Sequence, residues 1–156
     1  QKHLQDKDEE MREAAAEGLG RIGDPKDLPV LEKRFADETK NSPRVSAAFA
    51  LVMMGKTEMS EFSPLRYLVN TLNSSARAME ARALLIEAAR KPEVRKILQD
   101  AAIRGTSDEK IYLAQVMAAS GDNEQIPTLE RLSRDPDVKV AQEGLRALRT
   151  LKARVQ

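Results

Sequence analysis

Three places in the chain carry residue types that could do chemistry. Gly55-Lys56-Thr57 has the ending of a phosphate-binding loop. The full motif needs a glycine five residues before Gly55, and position 50 is Ala; it also needs a strand before the loop and a helix after it, so that backbone amides surround the phosphates. Here an apolar helical pattern ends at Gly55, so the nucleotide reading fails on context. His3 is the only histidine. A Ser-His-Asp or Cys-His arrangement needs nucleophile, base and orienting group in one pocket, and a lone His beside charged residues reads as a solvated side chain. Asp6, Asp8, Glu9 and Glu10 could suggest a cation site. A calcium loop needs oxygen ligands at fixed spacing, a mid-loop glycine and a closing Glu, none of which follows. Carboxylates at the start of a helix answer its macrodipole, and that reading is preferred. The sequence therefore offers no catalytic set; it predicts no enzyme, metal site or cofactor.

The elements that would position these residues come from composition and period. The chain has 156 residues, enough for one continuous core. It has no cysteine, which removes disulfides and thiol chemistry and suits a reducing compartment such as the cytoplasm. Charged residues are 33% of the chain but nearly cancel, at net +1, so the global field selects no polyanion. Aromatics are only 3%, with no Trp, which favours helices over a small β-sandwich or barrel. The longest apolar run, 45–54, falls well short of the ~20 residues that span a bilayer, and no membrane partner is expected. The opening QKHLQDKDEE lacks both Met and a secretory signature and reads as helical, as in a segment of a longer protein.

The chain repeats itself. REAAAEGLGRIGD from Arg12 aligns with RVSAAFALVMMGK from Arg44, an offset of 32, matching Ala15 to Ala47, Ala16 to Ala48, Leu19 to Leu51 and Gly23 to Gly55. A further 33 residues place Arg77, Ala81 and Leu84 in the same slots, and another 33 place Lys110, Ala114 and Met117. A fifth copy, 138–151, slips by one. LPVLEK from Leu28 and IPTLER from Ile126 form a second matching series. Each unit reads as two helices. Ser42-Pro43, Asp24-Pro25 and Asp135-Pro136 supply a cap before Pro. Thr106 with Glu109 reads as a capping box, and Gly23 and Gly121 as helix ends. No stretch alternates with period two, so no strand is expected. Second helices are predicted at about 9–22, 43–55, 75–88, 108–120 and 137–153, and first helices at about 26–36, 62–72, 92–104 and 123–133.

A two-helix unit of this length stacks on its neighbours to bury its apolar face. The pattern Arg-x-x-Ala-Ala-x-Gly/Ala-Leu-x-x-x-Gly-Asp, preceded by Leu-Pro-x-Leu-Glu, resembles HEAT repeats, most closely the short bacterial and archaeal kind first associated with phycobilin lyases. The resemblance implies an all-α, right-handed α-solenoid of about five units over a single domain, 1–156. It also implies that the second helices line a concave binding face, and that the recurring Arg12, Arg44, Arg77 and Lys110 hold neighbouring turns rather than phosphate.

The binding expectation rests on one helix. Taking Met11, Ala15, Gly18, Leu19 and Ile22 as the buried stripe puts Glu13, Glu17 and Gly20 on a wet face. Carried forward by one period, the same frame puts Val45, Phe49 and Val52 opposite the core, with Met53 beside them. In the next unit it puts Arg82 and Leu85 there. An exposed apolar patch rimmed by polar groups marks an interaction site, so Val45, Phe49, Val52, Met53, Arg82 and Leu85 are the expected contact residues for a partner peptide or helix on a non-catalytic scaffold. Two alternatives remain. One is a bilin lyase subunit. The other is nucleic-acid binding through the basic end: residues 131–156 carry seven bases and three acids, net +4, against net −3 for residues 1–20, from six acids and three bases. The absence of aromatics there disfavours nucleic acid. Opposite charge at the two ends suggests end-to-end self-association instead.

Overall fold

The computed structural model describes all residues, 1–156. It is all-helical, with no strand. After a 3-10 turn at Lys2–Gln5 come α1 (Glu9–Ile22), α2 (Leu28–Asp37), α3 (Asn41–Met53), α4 (Pro64–Thr71), α5 (Ala78–Ala88), α6 (Pro92–Arg104), α7 (Ser107–Ser120), α8 (Ile126–Leu132) and α9 (Val138–Val155). These helices follow the predicted map closely. The chain divides into two compact units, Gln1–Leu68 and Val69–Gln156.

In the first unit, α3 packs on both α1 and α2. Asp8 starts α1 by accepting the Glu10 amide at 2.9 Å, which settles what the acidic opening does locally. Asp6 in turn accepts the Asp8 amide at 3.0 Å and stands 3.5 Å from His3 Nδ1. Gly23 ends α1 in the left-handed conformation at φ 73°, with its amide bonded to the Leu19 carbonyl. Asp24 accepts the Lys26 amide ahead of Pro25, as the sequence suggested, but the result is one 3-10 turn leading into α2.

The α1 face differs from the expected one. Its buried residues are Ala16 and Gly20; Met11 is 40% exposed and Ile22 76%. A Cβ on Gly20 would lie 2.5 Å from Ala50 Cα, so α3 meets α1 backbone to backbone where only glycine fits. Apolar spacing selected the stripe about half a turn away, because side-chain size was read as burial. The true contact is made by the smallest residues on the helix. The rest of the frame moves with it: Gly20 is core, not wet face.

In the second unit, α5, α7 and α9 lie side by side in sequence order, and α6 packs on α7 and α8 on α9. This is a layer of second helices backed by first helices. Thr106 caps α7, accepting the Glu109 amide at 3.2 Å, but the reciprocal half of the predicted capping box is missing, because the Glu109 carboxylate is engaged elsewhere. The Glu109 carboxylate is buried and takes the Asn73 amide at 2.7 Å, while Thr106 Oγ1 donates to Asn73 Oδ1 at 2.6 Å. Three polar side chains thus close one network, as burial requires. Two predicted caps are corrected. Asp137, not Asp135, starts α9, accepting the Lys139 and Val140 amides. In the first unit, α3 begins at Asn41 after Lys40, so Ser42 lies inside the helix and not at its N-cap. Gly121 is also not left-handed, at φ −76° and ψ 174°; a Cβ there would sit 2.5 Å from the Met117 carbonyl.

Candidate functional site

The six expected contact residues separate. Val45, Phe49 and Val52 are 0% exposed, as is Leu85. They are core, and the expectation that they form a free apolar patch is corrected. The physical reason lies in α3 itself: every residue from Val45 to Val52 is buried, including Ser46. A helix apolar all round is a buried helix. Part of the Phe49 cover comes from α1, where the Arg21 guanidinium lies 5.4 Å from the ring centroid. Met53 is half-buried near the end of α3. Arg82, in the second unit, is half-buried as well.

Arg82 lines a groove of about 290 Å³ formed by α5, α7 and α9. Its Nη1 donates to Gln115 Oε1 on α7 at 2.7 Å, while its Nε is covered and has no acceptor. Ala118, Ala119 and Ala147 supply small, apolar lining, and Glu143, Arg146 and Thr150 of α9 form the far side. Small side chains at these positions keep the groove open, because the neighbouring second helices have nothing large to close it with. Two arginines against one glutamate make it net basic.

The recurring basic position is structural in three copies. Arg12 grips Glu38 with two bonds, Nε to Oε2 at 2.9 Å and Nη2 to Oε1 at 3.2 Å, and donates to the Asp6 carbonyl. Burial alone would push the Glu38 carboxyl up. The Arg12 hydrogen bond, the Lys40 amide and the charges of Arg12 and Arg34 outweigh it and hold Glu38 below its usual range. Arg44 donates to the Phe35 carbonyl at 3.1 Å and lies 4.8 Å from both the Phe35 and Tyr67 ring centroids. Lys110 reaches Asp135 at 2.8 Å, and that bond is the main cause of a lowered Asp135 carboxyl.

The basic C-terminal helix is partly committed to its own fold. Arg154 donates to the Ala118 and Gly121 carbonyls, closing the C-terminal end of α7. Lys152 stands 4.0 Å from Glu130. One surface residue carried no sequence signal: Phe62 is 82% exposed with φ 66°, the left-handed region that a bulky side chain rarely adopts.

A family model described as HEAT repeats matches residues 1–52, the stretch of α1, α2 and all but the end of α3. Over those residues, a third of the chain, it is similar to HEAT repeats. The match names HEAT repeats as such, with nothing of the lyase subtype. No curated protein matches the chain. HEAT repeats generally serve as protein-interaction scaffolds and are typically non-catalytic. No helix of this chain is long and apolar enough to cross a membrane.

Proposed function

We propose that this chain is a non-catalytic HEAT scaffold that holds an acidic segment of a partner protein, a helix or extended peptide, in the groove of its second unit. The observation that carries this reading is the alanine lining of Ala118, Ala119 and Ala147 between Arg82 and Arg146. Small apolar residues admit a partner closely, and the arginines offer charge-assisted, forked hydrogen bonds to carboxylates. The Glu143 carboxylate would set the register by repelling a misplaced acid. Nucleic-acid binding through α9 is less well supported, because Arg154 and Lys152 are engaged within the fold.

Affinity capture from the source lysate, with wild type and Ala119→Glu in parallel, tests it. Ala119 is exposed, so the variant should keep its helical circular dichroism. A glutamate in the groove both fills it and repels an acidic ligand, and a partner held by wild type should bind at least tenfold more weakly, roughly the loss of one hot spot. A folded variant that captures the same partners equally well would remove the groove as the site.

A further inference from the structure

The connection between α3 and α4, residues 54–63, ends in a turn with a bulky aromatic at its corner. The Ser63 amide donates to the Ser60 carbonyl at 3.1 Å, so Glu61 and Phe62 are the two central residues of that turn. Phe62 has φ 66°. A turn with positive φ at its third residue ordinarily holds glycine or asparagine there, because a side chain in the left-handed region crowds its own backbone. Phenylalanine has neither the freedom of the one nor the short polar side chain of the other, and holding it there costs energy.

No burial offsets that strain. Phe62 is 82% exposed, the most of any large hydrophobic residue of the chain, whereas Phe35 and Phe49 are core. Strain of this kind persists only where the surroundings fix it. Here they do. Ser63 is buried, and its hydroxyl donates to the Glu58 carbonyl at 2.7 Å and accepts the Arg66 amide at 3.4 Å. Arg66 Nε donates back to the Met59 carbonyl at 3.4 Å. Pro64 biases Ser63 towards extended backbone. All of these ties lie within the first unit. They make a fixed knuckle that presents one aromatic ring to solvent. The charge around the ring is acidic. Glu58 and Glu61 are exposed, and neither forms an ion pair. Lys56, the only cation of the connection, is turned to Glu32 at 3.5 Å.

We infer that Phe62 is the anchor of an interaction surface: its ring enters an apolar pocket of a partner protein whose rim carries Arg or Lys opposite Glu58 and Glu61. A ring with two rotatable bonds on a turn already set loses little freedom on binding, so its contact area converts well into affinity. The two glutamates steer the encounter and fix the register. The surface belongs to the first unit and shares no residue with the groove of the second, so the two readings stand or fall separately.

Two measurements test it. Phe62→Asn puts a residue suited to the left-handed region at the corner, and its thermal midpoint should rise by about 2–4 °C, an ordinary shift for relief of one strained residue in a chain of this size. A lower midpoint would mean that the ring packs within the fold, and overturns the proposal. Then the full chain with p-benzoylphenylalanine in place of Phe62 is irradiated in the source lysate, and the crosslinked peptides are sequenced. The same probe at Asp100, exposed on α6, sets the background. The expected product is a protein captured from position 62 alone, at an apolar site bordered by Arg or Lys. Once purified, that protein should bind Phe62→Asn at least about tenfold more weakly than wild type, the loss of one hot spot. It should bind the double variant Glu58→Gln, Glu61→Gln with a shallower dependence on salt. A variant that is more stable and binds worse marks a residue kept for a partner. A crosslink no stronger than background, one only to a second copy of this chain, one at a site with an acidic rim, or binding unchanged by Phe62→Asn each overturns the proposal. The groove variant Ala119→Glu should leave the crosslink in place.

Discussion

Arg12 and Glu38 show how a charge is tolerated in an interior made largely of alanine and leucine. The Glu38 side chain is 2% exposed, and its oxygens receive Arg12 twice and the Lys40 amide once. Removing one partner of a buried pair costs more than the pair itself contributes, because the remaining charge is left without compensation. Arg34 at 3.6 Å and the Lys40 amide would remain, so Arg12→Ala should destabilise by about 3 kcal/mol, at the low end for such a break. Chemical denaturation of wild type and variant measures it. At this scale the sequence was informative about the type of interaction and silent on the partner. The recurring Arg/Lys position announced a structural cation, yet one copy meets a carboxylate, one a backbone carbonyl and two rings, and one an aspartate that had been read as a helix cap. A period reveals equivalence of position, and the neighbour is supplied by loops that do not repeat.

At the scale of elements, the two glycines of α1 make opposite predictions from one residue type. Gly18→Ala adds a methyl to open space and removes backbone freedom from the unfolded chain; it should stabilise by about 0.5–1 kcal/mol. Gly20→Ala drives a methyl into the Ala50 backbone and should destabilise by about 2 kcal/mol through overpacking. Thermal melts of the two variants should move in opposite directions. Helix positions were legible because capping residues, prolines and the 32–33-residue period all agreed. Helix faces were not. Apolar spacing says that a face is fit for burial without saying which neighbour covers it. In α1 two faces qualified, one lined by Ala16 and Gly20, the other by Met11 and Ile22. The same error, carried forward one period, placed Phe49 on the surface. The residue that did remain at a groove, Arg82, had been chosen as polar rim, and the alanines beside it were not ranked as contact residues.

For the whole molecule, acid should loosen the fold by a definite route. Glu38, Asp135 and Asp137 all have lowered carboxyls: Glu38 through Arg12, Lys40 and Arg34 against the opposing effect of burial, Asp135 through Lys110 and the Asp137 amide, and Asp137 through the Ser107 hydroxyl and the Val140 amide. A depressed carboxyl binds fewer protons folded than unfolded, so stability rises with pH through this window. The contribution is complete above the ordinary values of 4.5 for Glu and 3.8 for Asp, and is lost as pH falls through the lower folded values. Denaturation midpoints should therefore be flat near neutrality and drop below about pH 4.5, and Glu38→Gln should flatten part of that drop.

The second unit contains a ruler. Asn73 meets Thr106, Arg82 meets Gln115, and Arg154 meets Gly121, and each pair is separated by 33 residues. These bonds join like places in successive repeats, so they measure chain length as well as hold it. Lengthening a loop between two such partners by a few residues would leave the helices intact and mismatch the ties across it. Inserting one whole repeat would give each tie a new neighbour of the same kind. A gene for such a chain can grow by duplication in steps of a full repeat and is penalised at every step between.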